Sequence, residues 1–291
     1  MIENNRQYPL VSVCVPTYNG EQYLGEALDS ILNQSYPKIE VIISDDSSSD
    51  NTLKIVEDFC KKANFPVRVK EHKPCGIGAN WNNCVKHAEG KYIKFLFQDD
   101  ILEPECVEKM TELAESSPVN LAIIYCRKLL VGDFTVKQKE GVEKLFTKYK
   151  YSSATKILRS PGLYNKPRNK LGEPTSVLIK KDVFDKVGFF DERLEQSLDY
   201  EFWSRVMVKF EIKSIDETLI KFRVHRGQAS NTNSGKIIID SYLLPALMLK
   251  NYNKIHPWAK LIMFYKLGTG IIRYFVVRKL SIAKLIQPSI K

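Results

Sequence analysis

The chain has 291 residues, of which 44% are hydrophobic, 11% aromatic and 27% charged, enough to bury one large core or two modest ones. Those proportions exclude intrinsic disorder, a collagen-like repeat and a multi-span membrane protein. Net charge is +10, but residues 236–291 hold ten Lys/Arg against the single acid Asp240, so the first 235 residues form a nearly neutral body.

From Leu10 the sequence LVSVCVP reads as a strand, TYNG breaks it, and residues 21–34 follow a helical polar–apolar pattern. IEVIIS (39–44) is a second strand, followed by the turn SDDSSSDNT and a helix over about 52–63. VRVKE (67–71) is a third strand, with a helix over about 79–89 after it, and YIKFLF (92–97) is a fourth, ending at Gln98, Asp99 and Asp100. Strands alternating with helices predict a parallel, doubly wound sheet, because parallel strands need crossover connections. After LAIIYC (121–126) the regularity fades, and residues 127–172 receive no elements. TSVLIKK (175–181) restores a strand, DVFDKV a short helix stopped by Gly188, residues 199–211 a helix, and ETLIKFRVH (217–225) a last strand closed by the turn formers RGQASNTNSG.

The six cysteines include no CxxC pair and no zinc-type spacing, which points to a reducing compartment. The opening MIENNRQYPLVSV has acidic and amide residues where a secretory leader needs a basic patch and an apolar run. Lys266, Arg273 and Arg278 interrupt the long apolar region near the C-terminus, short of the roughly 18 apolar residues a spanning helix needs. The expectation is a cytoplasmic protein.

In doubly wound sheets ligands collect beyond the carboxyl ends of the strands, where this chain places Thr17–Gly20, Asp45–Asp50 and Gln98–Asp100. Asp99 and Asp100 repel each other at the end of an apolar strand, which a divalent cation would relieve. The competing reading is that Asp100 caps the helix starting near Pro104. In the second acidic turn Ser49 or Asp50 is suited to cap the next helix, which leaves Asp45 and Asp46 to bind a base or ribose. Gly76-Ile77-Gly78-Ala79-Asn80-Trp81 lacks the third glycine of a dinucleotide fingerprint, and no Walker loop is present.

These segments, with GIGANWNNCVKHAEGKYIKFLFQDDILEP, VGFFDERLEQSLDYEFWSRV and RVHRGQAS, resemble the family 2 glycosyltransferases over about residues 9–232, apart from a gap at 127–172. The resemblance implies a GT-A fold, an α/β architecture with a Rossmann-like, mostly parallel central sheet flanked by helices. A glycosyltransferase domain would span 1–235, its nucleotide-binding half about 9–126 and its acceptor half about 127–235, with a basic helical tail over 236–291. By the same resemblance Pro16, Thr17, Tyr18 and Asn19 line the nucleotide site, Asp45 and Asp46 take the base or ribose, and Asn80 and Asn82 close over the nucleotide. Gln98 completes that set.

FQDD stands where the family has its DxD metal motif, with Phe97 replacing the first acid, so Mn²⁺ or Mg²⁺ would rest on Asp99 and Asp100, with His225 a third ligand. Arg223 and Gln228 would fold over the diphosphate. Asp199 matches the family's catalytic base, and a helix N-terminus would favour its ionised form. The resemblance therefore implies inverting, metal-dependent, non-processive transfer from a nucleotide sugar, a UDP-sugar, to a saccharide or lipid-linked acceptor in bacterial surface-polysaccharide or lipo-oligosaccharide synthesis. Processive relatives carry QxxRW and transmembrane helices, which this sequence lacks. A non-catalytic nucleotide-sugar-binding scaffold is the alternative that Phe97 leaves open.

Residues 258–287 disperse Lys/Arg among aromatic and aliphatic residues with no acid, the pattern of an interfacial helix on an anionic membrane. That would place the protein peripherally on the inner face of the cytoplasmic membrane. Packing on the body or in a homo-oligomer interface is the competing role of this helix. The neutral body offers no nucleic-acid groove.

Overall fold

The computed structural model describes residues 8–158, 169–228, 239–251 and 257–286. Eight strands form one sheet: β1 (Val11–Thr17), β2 (Ile39–Asp45), β3 (Val67–Glu71), β4 (Tyr92–Phe95), β5 (Ile101–Leu102), β6 (Leu121–Gly132), β7 (Val177–Lys180) and β8 (Glu211–Val224). Their order is β3-β2-β1-β4-β7-β6-β8-β5.

The half built from β1 to β4 is parallel throughout, with helices Leu24–Leu32, Thr52–Lys62 and Ile77–His87 as its crossovers. Beyond β4 the sheet is mixed: β7 runs antiparallel to both β4 and β6, β8 is parallel to β6, and the short β5 is antiparallel to β8. The expected mostly parallel sheet is thus present, with one reversed strand at its centre.

Side chains alternate across the pleat. Val11, Val13 and Val15 pack with Leu24, Leu28, Ile31, Val56 and Phe59 on one face. Cys14, Ile42, Ile93 and Phe95 pack with Val85, Phe202, Trp203 and Val206 on the other. The last three belong to helix Leu198–Lys209, so the second half of the chain covers the parallel half.

Residues 127–158 hold more regular structure than their sequence suggests. β6 runs on to Gly132 because β8 pairs with it over its whole length, through several register shifts. Helix Val136–Tyr149 follows, opened by a capping box between Thr135 and Gln138, and then Ala154–Leu158. The first of these buries only Phe146 and Tyr149, so it has almost no apolar stripe to read. The turn formers at 229–235, and with them the expected domain boundary at 235, lie outside the described residues.

Glu40 is buried at the opposite end of β2, where it accepts from Ser12 Oγ at 2.6 Å, Glu89 N–H at 2.6 Å and Gly90 N–H at 3.1 Å, and pairs with Arg68 at 3.1 Å. Gly90 is required there, since a Cβ would lie 2.7 Å from Ser12 N and 2.8 Å from Leu10 O, both rigid backbone atoms. Gly90→Ala should cost about 1–3 kcal/mol of stability, read as a lower urea midpoint with an unchanged m-value.

Candidate active site

The carboxyl ends of β1, β2 and β4 lie side by side, with Thr17 in register with Asp45. Loops beyond them are tied by side chains acting as backbone substitutes. Gln98 accepts from Tyr18 N–H at 2.8 Å and donates to Tyr18 C=O at 3.0 Å, a two-way bond between the β4 and β1 loops. Gly20 permits that approach, because a Cβ there would fall 2.5 Å from Gln98 Oε1. Asn19, at φ 45°, accepts from Ser49 N–H at 2.8 Å and donates its own N–H to Ser48 Oγ at 2.8 Å. Asp50 accepts from Thr52 N–H at 3.0 Å at the start of the next helix, whose N-cap is Asn51 and not the expected Ser49 or Asp50.

The result is a cleft of about 500 Å³ whose lining includes Tyr18, Asn19, Gln98, Asp99, His225 and Arg226. Tyr18 projects into solvent, 55% exposed. Asp99 Oδ2 and His225 Nε2 meet at 3.0 Å, and the His225 ring lies 4.9 Å from the Tyr23 ring. An oxygen and an imidazole nitrogen thus converge in an open cleft, a donor pair open to a divalent cation.

Asp100 does not share this position. It is fully buried, its Oδ1 accepts from Arg223 N–H at 3.1 Å, and it does not line the cleft. Burial, and then the charge of Asp99, push its carboxyl well above the usual range. The structure therefore separates the two acids expected to act together: Asp99 faces the cleft and Asp100 holds a strand end. Phe97 packs 4.8 Å from the Trp81 ring, within an aromatic cluster.

Other expected nucleotide contacts are also spent inside the protein. Pro16 and Thr17 are buried in β1. Asp45 is buried and accepts from Thr17 Oγ1 at 2.7 Å, Ser48 Oγ at 2.6 Å and Ser48 N–H at 2.8 Å. Asp46 accepts from Cys75 N–H at 2.7 Å and Gly76 N–H at 3.0 Å.

Asn80 donates to Thr17 C=O at 3.1 Å, and Asn82 exchanges hydrogen bonds with the Phe190 backbone at 2.9 and 3.0 Å; both are buried and brace loops. Arg223 pairs with Glu26 and donates to Asp99 C=O at 3.0 Å, while Gln228 donates to Arg223 C=O at 2.8 Å. The exposed cation that lines the cleft is Arg226, which sequence reasoning passed over although it stands beside His225 in the same motif.

A second cleft, about 780 Å³, has Lys128, Asn169, Gly172, Glu173 and Val224 among its lining residues. Val224 lines this cleft and His225 the first, so the two flank the end of β8. Asn169 donates to Asp199 Oδ2 at 2.5 Å, and Asp199 Oδ1 accepts from Tyr200 N–H at 2.6 Å. The Asn169 amide also reaches Gly172 C=O, which the Trp203 indole holds at 3.1 Å. Glu173 is paired with Lys128. Asn169, Glu173 and Lys128 all fall in or beside the stretch that offered no pattern to the sequence.

Asp199 does not behave as its helix position suggests. Burial first, and then the Glu173 charge, push its carboxyl from 3.8 up to about 7, against the opposing effects of Tyr200 N–H, the Asn169 amide and Lys128. Desolvation outweighs the helix dipole.

Strand order, the reversal at β7 and helices on both faces make this the GT-A arrangement of sugar-transferring enzymes. The chain belongs to glycosyl transferase family 2, whose family model matches residues 12–180. An uncharacterized glycosyltransferase of Rickettsia prowazekii is 32% identical over 238 residues, covering 79% of this chain and 69% of that protein. One from Methanocaldococcus jannaschii is 28% identical over 281 residues, covering 92% and 89%.

Among solved structures, Staphylococcus aureus TarS in complex with UDP-GlcNAc matches with a TM-score of 0.64 at 22% identity, covering 82% of this chain and 64% of that one. The mannosyltransferase PcManGT of Pyrobaculum calidifontis, in complex with GDP-Man and Mn²⁺, matches with a TM-score of 0.62 at 17% identity, covering 96% and 81%.

The raised Asp199 carboxyl has a consequence for stability. Between pH 3.8 and about 7 the folded chain holds a proton there that the unfolded chain has lost, so this group's contribution falls as pH rises through that window. Asp199→Asn should flatten that part of the stability curve, measured by urea unfolding at pH 5 and at pH 8.

Proposed function

We propose that the protein is an inverting, metal-dependent, non-processive glycosyltransferase. It moves a sugar from a UDP-sugar to a saccharide or lipid-linked acceptor in surface-polysaccharide or lipo-oligosaccharide synthesis. The observation that carries this reading is the pair of clefts that flank the β8 end. Asp99 and His225 line the one we assign to the donor, and Asn169, which donates to Asp199, lines the one we assign to the acceptor. TarS with UDP-GlcNAc and PcManGT with GDP-Man and Mn²⁺ support a nucleotide-sugar donor and a divalent cation on the same fold.

Asp99 and His225 would hold the cation, which when bound supplies positive charge against the departing diphosphate. Arg226, exposed at the same cleft, adds a cation to that electrostatic environment. The exposed Tyr18 ring offers a face for the base. Asn169 and Tyr200 N–H each engage one oxygen of Asp199, which fixes the carboxylate. Ionised, Asp199 accepts the proton of the acceptor hydroxyl as that oxygen attacks C1 of the sugar from the face opposite the phosphate. Configuration at C1 inverts.

The test is turnover of nucleotide sugars with Mn²⁺ or Mg²⁺, first as slow donor hydrolysis. Asp199→Asn should lower the rate about 10²–10⁴-fold while UDP binding, followed by calorimetry, is retained. Wild-type rate should rise with pH through about 7 as Asp199 ionises. Asp99→Asn should abolish the Mn²⁺ binding heat. Nucleotide-sugar binding without turnover in the wild type would favour a scaffold over an enzyme.

A further inference from the structure

The C-terminal helix, Pro257–Ile286, packs against helix Asp240–Asn251. Its inner face is plain from the described side chains: Met263 and Gly270 are buried, Leu267 and Tyr274 half-buried, and Tyr274 meets Tyr242 at 5.1 Å between ring centroids. That face is satisfied.

The opposite face is not polar. Leu261, Phe264, Tyr265, Ile272 and Phe275 are 57–72% exposed and Ile271 is 38% exposed. Positions 261, 264/265, 268, 271/272 and 275 recur at helical spacing, so they form one outward stripe, about 21 Å long at the rise of an α-helix. Single exposed apolar residues are ordinary, but a continuous stripe of six large ones marks a contact surface. Lys260 flanks it, the exposed Arg273 lies further round the helix, and from 241 to 291 the chain has no Asp or Glu.

We propose that this stripe seats the protein on an anionic lipid surface, with the helix lying in the membrane plane. Among the described residues no helix is long and apolar enough to cross a membrane, so the helix lies on the bilayer. Charge selects lipid over a second copy of this chain. A symmetric contact between two such faces would set cations against cations with no acid to pair them, whereas anionic headgroups complement them.

The seating does not depend on the proposed donor chemistry, yet it is mechanically joined to the site. Asp240 accepts from Glu195, Gln196 and Ser197 N–H at 2.8, 3.0 and 2.7 Å. These are the residues immediately before the helix that carries Asp199. A lipid-seated tail thus holds the acceptor side of the enzyme beside the bilayer.

Co-sedimentation of the full chain with vesicles decides the matter. The protein should pellet with phosphatidylglycerol-containing vesicles, less with pure phosphatidylcholine, and less again at high salt. The combined change Leu261→Glu, Phe264→Glu and Ile272→Glu should weaken binding at least about tenfold, and Lys260→Glu with Arg273→Glu should remove the preference for anionic lipid. An unchanged thermal midpoint shows that each variant folds, and Ile272→Glu alone serves if the triple change does not. Failure of the wild type to pellet, or equal binding by the folded variants, overturns the proposal. So does a homodimer that the triple change dissociates while vesicle binding persists.

Discussion

A buried carboxylate sets the geometry of the donor side. Asp100 lies in the interior and accepts from Arg223 N–H at 3.1 Å. Together with the pairing of Ile101 and Lys221 between β5 and β8, that bond ties the loop after β4 to the end of β8, strands separated in the sheet by β7 and β6. Residues two apart on a strand point to the same face, so anchoring residue 223 also directs residue 225, and His225 reaches Asp99 at 3.0 Å. Arg223 reinforces the arrangement through Asp99 C=O and Glu26. The adjacent acids thus differ in place, Asp99 at the cleft and Asp100 as a strut. Leaving the second oxygen of Asp100 without a hydrogen-bond partner among the described residues makes its neutral form the less costly one.

Much of the parallel half is legible in the sequence because its strands are short, apolar and bounded by turn formers, and its helices have clear apolar stripes. Asp99, His225, Tyr18 and Asn19 stand at strand ends, as the sequence pattern predicts, and all four line one cleft. Asp45, Asn80 and Asn82 occupy the expected places but are buried and brace loops, and the half-buried Arg223 is held by Glu26 and Asp99 C=O; a sequence does not display which polar group a neighbour engages. The second half is illegible for another reason. β6 and β8 are extended by pairing with each other across about ninety residues of chain, and helix Val136–Tyr149 is polar nearly all round. Its capping box, Thr135 with Gln138, was the one local signal available.

Asp199 shows how two correct local arguments compete. A carboxylate in the first turn of a helix gains from the exposed amides there, and that gain was expected to keep it ionised. The amides just ahead of this helix are already taken. Asp240, from the C-terminal helices, accepts all three N–H groups of residues 195–197, and Asp199 retains one, from Tyr200. Burial and the neighbouring Glu173 then dominate, and the carboxyl moves up to about 7. Under the proposed reaction, a proton affinity near neutrality is well matched to taking a proton from a hydroxyl and passing it to water.

The C-terminal helix pair meets the body at the start of the helix that carries Asp199. Asp240 accepts from the N–H groups of residues 195–197 at 2.7–3.0 Å, while Asp199 accepts from a different donor, Tyr200 N–H, at 2.6 Å. The helices that Asp240 begins carry the outward apolar stripe. The anchor of the tail and the raised carboxyl therefore lie on one short stretch of chain, each with its own amides.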